Sequence, residues 1–450
     1  MRPGEELFFL LALGVLALAA ISAAAVAFRP KPASLLAIWL LIMFAIPYWL
    51  GLQLTWFVPL LVPTAVLIIL SQWGRGSGVV HSADGLLVFC TLALLILVVA
   101  GRVRSYDAAV LAGQWLLPYM AGRLLFTEIH LMKAFRLIAA FGVALGAVAI
   151  IEFVADWHPF TSLVLDNYAS KSWSWIQYRA GLPRSEWSFG HSIALGNVIA
   201  MTVPFIAFAN WTTKSKAVAI IVAAGGVGCT FSRNAAAAFA LSLVVIAVLR
   251  PSHRSAVRWG VLISAYVAAV AGMALASTVV GSEGSELAQS TESRIRLLRA
   301  LESVRFFGNS GTFIMLRDGN PGYLSDDVPG RVVRSVDNAF ALLALNAGWL
   351  VTLLFASVIV VACAKVSPSN PAAVAVLTQI PTLFTVALIT QYASFFWLVV
   401  GAAISISFRS NVTKDGLSAD GGWDSSTPGG GRKRSSSTPS VLPSAAEGLR

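Results

Sequence analysis

Arginine is the side chain with which this sequence can do chemistry, and its arginines collect at the edges of long apolar runs. The first cluster is YRAGLPRSEWSFGHSIALGN, residues 178–197, where Arg179 and Arg184 stand with Glu186 and His191 just before a hydrophobic segment. A guanidinium stays charged and presents a planar fork of donors, so it suits the oxygens of a phosphate. Two readings of the pair are open: an anion site, or interfacial anchors that pair with Glu186. His191, at a helix start, reads as a capping or packing residue before it reads as a catalyst. Trp173, Trp175 and Trp187 fit an aromatic belt at a membrane–water interface, with sugar stacking as the sharper alternative.

The second cluster is CTFSRNAAAAF, residues 229–239, which puts Arg233 in a turn between two apolar runs with almost no loop around it. A charge at that depth is costly unless paired or wet, which makes Arg233 a functional candidate; the alternative is snorkelling to the headgroups. The alanines that follow permit close helix packing. The third cluster lies in 281–337. From about 286 to 305 the apolar positions Leu287, Ile295, Leu298 and Leu301 have helical spacing, with Arg294, Arg296, Arg299 and Arg305 interleaved. That pattern predicts an amphipathic helix lying on a membrane surface. Gly308, Gly311, Gly319, Pro321, Gly322, Pro329 and Gly330 then predict an irregular stretch. The segment closes RVVRSVDNAFALLALNAGWL, residues 331–350, so Asp337 and Asn338 stand at the mouth of the next apolar run. A carboxylate there can accept a proton from a hydroxyl. Asp or Asn at that boundary is also a strong N-cap, and on sequence alone the cap is the better reading of Asp337.

The elements that must position these residues are transmembrane helices. The chain has 450 residues, 57% hydrophobic and only 12% charged, with mean hydropathy +0.77. No soluble domain of this size hides so much apolar surface, and runs near twenty residues match the thickness of a bilayer. Inside lipid the backbone must satisfy itself, so the runs are helices; the alternation of a barrel is absent. Spans are predicted near 7–28, 33–50, 56–73, 85–101, 108–126, 134–155, 191–210, 217–231, 235–249, 258–280, 339–364, 372–391 and 393–408. The weakest are 108–126, which contains Arg123, and the two tight pairs joined by very short turns. The expected fold is thus all-α: a polytopic membrane helix bundle of about 12–13 transmembrane helices, with a large outward loop that carries the amphipathic helix. Residues 1–409 form the transmembrane domain, with outward loops 156–190 and 281–337. Residues 410–450, rich in Ser, Gly and Pro, read as a disordered cytoplasmic tail whose Arg432, Lys433 and Arg434 continue the positive-inside bias.

Lys and Arg in the short loops set the orientation. Arg29, Lys31, Lys133, Arg136, Lys214, Lys216, Arg250, Arg254, Arg258 and Lys365 mark one side, taken as cytoplasmic; Arg102 and Arg104 break the rule. A net charge of +11 would suggest nucleic acid in a soluble protein, but here it fits cytoplasmic anchoring and an anionic substrate. Cys90, Cys229 and Cys363 all fall within predicted spans, so neither a disulfide framework nor a zinc site is readable. There is no P-loop, dinucleotide fingerprint, HExxH or GxSxG, which argues against an ATP-driven pump or a metalloprotease.

Taken together, the clusters resemble the O-antigen ligase and O-antigen polymerase family of bacterial membrane proteins. Arg179 and Gly190, ten residues between them, lead into a span as in the family's first large periplasmic loop. Phe231-Ser232-Arg233 looks like its Ser-Arg-Gly signature, with Asn234 in place of Gly. Asp337-Asn338-Ala339-Phe340, then Leu342, Leu343 and Gly348, looks like its His-Asn or Asp-Asn motif, and Ser293-Arg294-Ile295 fits as well. The resemblance covers about 135–365. It implies a membrane glycosyltransferase that moves or polymerises glycan from a polyprenyl-diphosphate-linked oligosaccharide to a glycan acceptor. The reaction would run at the outer face of the bacterial inner (cytoplasmic) membrane, with neither metal nor other cofactor. Carried over by position, Arg179 and Arg233 would grip the donor diphosphate, Asp337 would act as base, and Arg184, Arg294 and Asn338 would assist in binding. Well-known ligases carry histidine where this chain has Asp337, which favours a polymerase-like or general glycan transferase. The competing expectation is a polysaccharide or lipid-linked-glycan transporter. Such proteins carry inverted repeats and charges near the bilayer midplane, whereas the polar residues here gather on one face.

Overall fold

A computed structural model describes residues 23–53, 57–75, 81–179, 181–249, 301–310, 313–315, 321–324, 332–333 and 338–419. The chain divides into one compact unit, Met1–Arg409, and a second, Ser410–Arg450. The helices are α1 Pro32–Ala45, α2 Leu61–Gln72, α3 Ser82–Val99, α4 Ser105–Leu111, α5 Leu117–Glu128, α6 Leu131–Val154, α7 Tyr168–Trp173, α8 Ser192–Phe208, α9 Thr213–Cys229, α10 Arg233–Leu249, α11 Ala339–Cys363, α12 Pro371–Leu383 and α13 Thr390–Ala419. The backbone of α13 is therefore helical beyond residue 410, where the change in composition had predicted disorder. The spans expected at 258–280 and over most of 7–28, the amphipathic helix up to residue 300, and residues 420–450 lie outside the described residues.

Four described helices are long and apolar enough to cross a membrane: α3, α6, α11 and the Thr390–Arg409 part of α13. Five more, α1, α2, α8, α10 and α12, are apolar but shorter. The apolar stretch of α3 is only 33% buried, and Val88, Phe89, Leu92, Leu95, Ile96 and Val99 stand exposed along it. A helix so apolar on its outside suits acyl chains and not water. At the other extreme, α8 is buried on all sides except at Ile193, and the apolar stretch of α13 is 89% buried. These two form the centre of the bundle. Glycines set the close contacts: Gly122 of α5 abuts the Leu398 carbonyl, Gly401 of α13 abuts the Tyr119 carbonyl, and Gly142 of α6 abuts Thr202 of α8, in each case with no room for a Cβ. Small residues of this kind let helix backbones approach in the absence of water.

Backbone chemistry explains several departures of the helices from the predicted spans. α1 stops at Ala45 because Ile46 precedes a proline and is extended, with φ −117° and ψ 116°. Within 108–126 the helix contains a π-helical turn, Ala112–Leu116, in which the Leu117 N–H donates back to the Ala112 carbonyl. The next residue, Pro118, has no N–H to give, so the turn sits where the ladder must lose a bond anyway. The span at 339–364 is broken at Gly348, with φ 87° and ψ 170°. There the N–H groups of Trp349 and Leu350 donate to the carbonyls of Arg305 and Phe306 at 3.1 and 3.0 Å, and Ser310 N–H donates to the Leu345 carbonyl at 3.0 Å. Asn309 N–H donates to the Arg102 carbonyl at 2.7 Å, so residues 305–310 form a wedge between the broken helix and the α3–α4 turn. The irregular stretch expected after Gly308 instead includes an antiparallel sheet, β5 Phe313–Met315, β6 Pro321–Leu324 and β7 Val332–Val333. Two short hairpins, β1 Leu52–Gln53 with β2 Phe57–Val58 and β3 Tyr178–Arg179 with β4 Leu182–Pro183, are the other described strands.

Arg123, which made the 108–126 span doubtful, is buried and paired. Its Nε lies 3.4 Å from Asp84 Oδ2, and its Nη1 donates to Thr127 and Ser405 hydroxyls. Tyr119 donates its hydroxyl to Asp84 Oδ1 at 2.7 Å, and the His81 N–H donates to Oδ2 at 2.9 Å. The cluster ties α3, α5 and α13 together, as buried charges require. Arg104, one of the two residues that broke the charge rule, makes a two-toothed pair with Asp107 at 2.7 and 2.9 Å.

Candidate functional site

The connection from α6 to α8 is a built layer. Asn167 caps α7 by accepting from Ser170 N–H, and its Nδ2 donates to the Trp49 carbonyl. Trp49 donates to the Leu163 carbonyl, Trp187 to Phe44, and Ser188 to Met43, so the layer is pinned to the end of α1. Trp187 is 9% exposed and packs on Phe44, Trp157 and Phe160, which makes it a core residue and not part of a belt. Trp175 is exposed, and Trp173 stacks edge-on against His191.

The β3–β4 hairpin turns through Gly181, at φ 78°, and lies against the turn between α9 and α10. Ser185 N–H donates to the Cys229 carbonyl at 3.2 Å. Arg184 Nε donates to the Thr230 carbonyl and Arg179 Nη1 to the Phe231 carbonyl, both at 2.9 Å. The last carbonyls of any helix lack intrahelical partners, so a cation beside them satisfies the backbone and the helix dipole together. Phe231 itself holds φ 49°, an unusual conformation for a bulky residue, and Ser232 and Arg233 follow directly. Arg233 opens α10 and is exposed. The structure therefore brings Arg179, Arg184 and the Phe231-Ser232-Arg233 turn together, although the two hydrogen-bonded pairs are separated by 52 and 46 residues in sequence.

Beneath the hairpin is a carboxylate that the sequence reading passed over. Glu152, in the last turn of α6, is 2% exposed. It accepts from the N–H groups of Glu186 at 3.1 Å and Trp187 at 2.9 Å, and from His158 Nδ1 at 2.9 Å. Trp187 at φ 46° is the strained residue this geometry holds in place. The signal was present, since an acid inside an apolar span is a functional candidate by default. Glu186 is buried as well and accepts from Gln177 N–H at 3.0 Å. Gln177 in turn accepts from Arg184 at 3.3 Å and from Ser192 at 3.1 Å.

Burial governs the charge states here. It pushes the Glu186 carboxyl up to about 8, helped by Glu152 and opposed by the Gln177 N–H, Arg184 and His158. It pulls Arg184 down to about 10, with Arg179 adding to the effect. It holds His191 down to about 3, with Arg184 adding to it. His191 is thus a neutral ring that caps α8 by accepting from Ile193 N–H, as its place at a helix start suggested. His158 is raised, chiefly by its hydrogen bond to Glu152.

Of the remaining predicted residues, Asp337 and Arg294 lie outside the described residues. Asn338 has the role a cap predicts: its Oδ1 accepts from Ala341 N–H at 2.9 Å, and its Nδ2 donates to the Phe384 carbonyl at 2.9 Å. An apolar crevice of about 220 Å³, open mouth included, runs beside it between Phe340, Leu343, Phe355, Leu383 and Trp397. What the arginine site can do follows from its parts. Two neighbouring guanidiniums and a third arginine on the same turn concentrate positive charge. Such a place attracts a multiply charged oxyanion. No family model, no curated protein and no solved structure matches this chain.

Proposed function

We propose that the protein is a membrane glycosyltransferase of the O-antigen ligase or polymerase type. It takes glycan from a polyprenyl-diphosphate-linked donor and passes it to a glycan acceptor at the outer face of the cytoplasmic membrane. The observation that carries this reading is the convergence of Arg179 and Arg184 on the carbonyls of Thr230 and Phe231, directly before Ser232-Arg233. When the glycosyl bond breaks, negative charge builds on the leaving diphosphate. Guanidiniums already fixed in place stabilise that charge more than they stabilise the ground state. The apolar helices offer the lipid tail a hydrocarbon environment, and Asp337 takes the proton of the acceptor hydroxyl.

The test is to replace Arg179, Arg184 and Arg233 singly by Ala in cells that depend on the protein for their envelope glycan. Polymer or glycoconjugate should fall on the order of 100-fold while the protein still inserts, as for removal of one transition-state donor. Lipid-linked oligosaccharide should accumulate at the same time. Full activity in the Arg179 and Arg233 variants rejects the assignment.

The break in α11 favours one second reading. Discontinuous helices whose backbone is satisfied by a neighbouring segment are common at transport sites, and Gly348 with the 305–310 wedge has that form. In that reading the protein moves a lipid-linked glycan across the membrane. Movement of labelled donor in vesicles without any new glycosidic bond would establish it.

A further inference from the structure

The arginine hairpin runs straight into three buried residues, Ser185-Glu186-Trp187, that are fastened to the end of α6. Ser185 Oγ donates to the Ala149 carbonyl at 2.7 Å. One turn further along the same face of α6, Glu152 Oε2 accepts from the Glu186 and Trp187 N–H groups at 3.1 and 2.9 Å. Two successive amides reach one carboxylate because the chain bends sharply there, with φ −130° and ψ −26° at Glu186 and φ 46° at Trp187. A turn of that kind makes a concavity for an anion, and here the anion comes from α6. His158 Nδ1 donates to the other oxygen, Oε1, at 2.9 Å, and its Nε2 lies 3.4 Å from Asp156. The link onward to the guanidinium runs through the main chain. Ser185 N–H donates to the Cys229 carbonyl at 3.2 Å and Arg184 N–H to the Gln177 carbonyl at 2.9 Å. The Arg184 backbone is thus held on both sides, and its Nε meets the Thr230 carbonyl.

We propose that Glu152, steadied by His158, is a positioning residue for anion capture: by clamping the Glu186 and Trp187 amides it fixes the hairpin so that Arg184 and Arg179 present their guanidiniums together at the α9–α10 turn. The inference rests on the reading of the arginines as an anion site. A buried carboxylate and a bulky residue at positive φ are both costly, and a regular turn over an apolar face of α6 would hold a loop at less expense. What the costly arrangement adds is precision. A guanidinium fork rewards an oxyanion only when its donors already stand at the right place, since every bond of rotation frozen on binding subtracts from the affinity. Glu152 therefore strengthens the binding of an anion although it carries the same sign of charge.

The experiment measures the affinity of the purified full-length protein, in micelles at one fixed pH, for inorganic pyrophosphate by calorimetry, together with Tm of the same samples. Glu152→Gln keeps the size of the side chain but turns an NH2 group toward one of the amides it must accept from. Its affinity should fall about tenfold, as when the groups that orient a binding residue are lost. The sign is what decides. Simple Coulomb attraction predicts the opposite, tighter binding once a negative charge is gone, and a role confined to the fold predicts a lower Tm with unchanged affinity; either result overturns the inference. His158→Ala should weaken binding in the same direction, and His158→Asn, whose amide can donate from the Nδ1 position, should restore it. That pair decides the matter if Glu152→Gln does not fold, and equal affinity in His158→Ala and the wild type then overturns the inference while leaving the anion site standing. Wild-type protein that binds no pyrophosphate, or binds it as well after Arg184→Ala, overturns both.

Discussion

Arg123 and Arg184 are both largely buried arginines, and they are treated in opposite ways. Arg123 faces a carboxylate, Asp84, which Tyr119 and the His81 N–H also approach, and it donates to the hydroxyls of Thr127 and Ser405. Arg184 faces a helix-end carbonyl, a glutamine and a second arginine, and the nearest acid is held in its neutral form. A charge whose counter-ion is built in serves the fold, because a ligand has nothing to add. A charge set among dipoles and a second cation retains its capacity to attract an anion. The same residue type therefore carries stability at one place and recognition at the other, and the difference lies in where the carboxylates are directed.

The most severe way to break this contrast is to remove Asp84. Asp84→Ala leaves Arg123 buried without its counter-ion, and the expected loss is about 3–5 kcal/mol. Thermal unfolding in detergent should show it as a large drop in Tm or as failure to accumulate in membranes. Arg184→Ala leaves a helix-end carbonyl without one partner and should cost only about 1 kcal/mol, while activity collapses. If the Asp84 variant unfolds no more readily than the Arg184 variant, the two arginines are not of different kinds.

A smaller effect sharpens the contrast through pH. Glu186 holds its proton more tightly in the folded state than an ordinary glutamate, about 8 against a usual 4.5. The folded protein therefore binds more protons than the unfolded chain between those values, and stability contributed by neutral Glu186 is lost as pH rises through that range. Glu186→Gln keeps the neutral shape at every pH. It should match the wild type near pH 4.5 and exceed it near pH 9 by an amount on the order of a few kcal/mol. Unfolding curves at the two pH values measure this, and an equal wild-type-to-variant gap at both would show that Glu186 does not titrate in this way.

Much of the fold was legible because hydropathy is a local signal. Most described helices lie within about five residues of the predicted apolar runs, although α12 ends at Leu383 where the run was drawn to 391 and α13 continues to Ala419. Two departures have local causes, Pro47 after α1 and Pro118 after the π turn. The break at Gly348 was not legible, since it depends on carbonyls of residues 305 and 306 reaching across from another segment. The site divides along the same line. Arg179, Arg184 and Arg233 stood out by charge at span edges. Their meeting at one turn did not, because hydrogen bonds across 52 and 46 residues leave no periodicity. Glu152 was overlooked although its lone charge in an apolar run was visible; what could not be read was that it serves backbone amides and not an arginine.

The slightest of the effects concerns Asn338, which stands between the two kinds of residue. Both ends of its side chain are engaged, with Ala341 N–H and the Phe384 carbonyl, so it performs a cap's work and links α11 to the segment after α12. A cap alone predicts that Asn338→Ala costs about 1 kcal/mol and that Asn338→Asp, which keeps the acceptor, recovers most of it. If Asn338 also touches the donor sugar, activity must fall far beyond what that loss explains, and Asn338→Asp must fail to restore it because the Nδ2 donor is gone. Parallel measurement of Tm and of glycan transfer in the two variants separates these cases. A proportionate drop in both places Asn338 with Arg123 among the residues that hold the bundle together; a selective drop in transfer places it with the arginines of the hairpin.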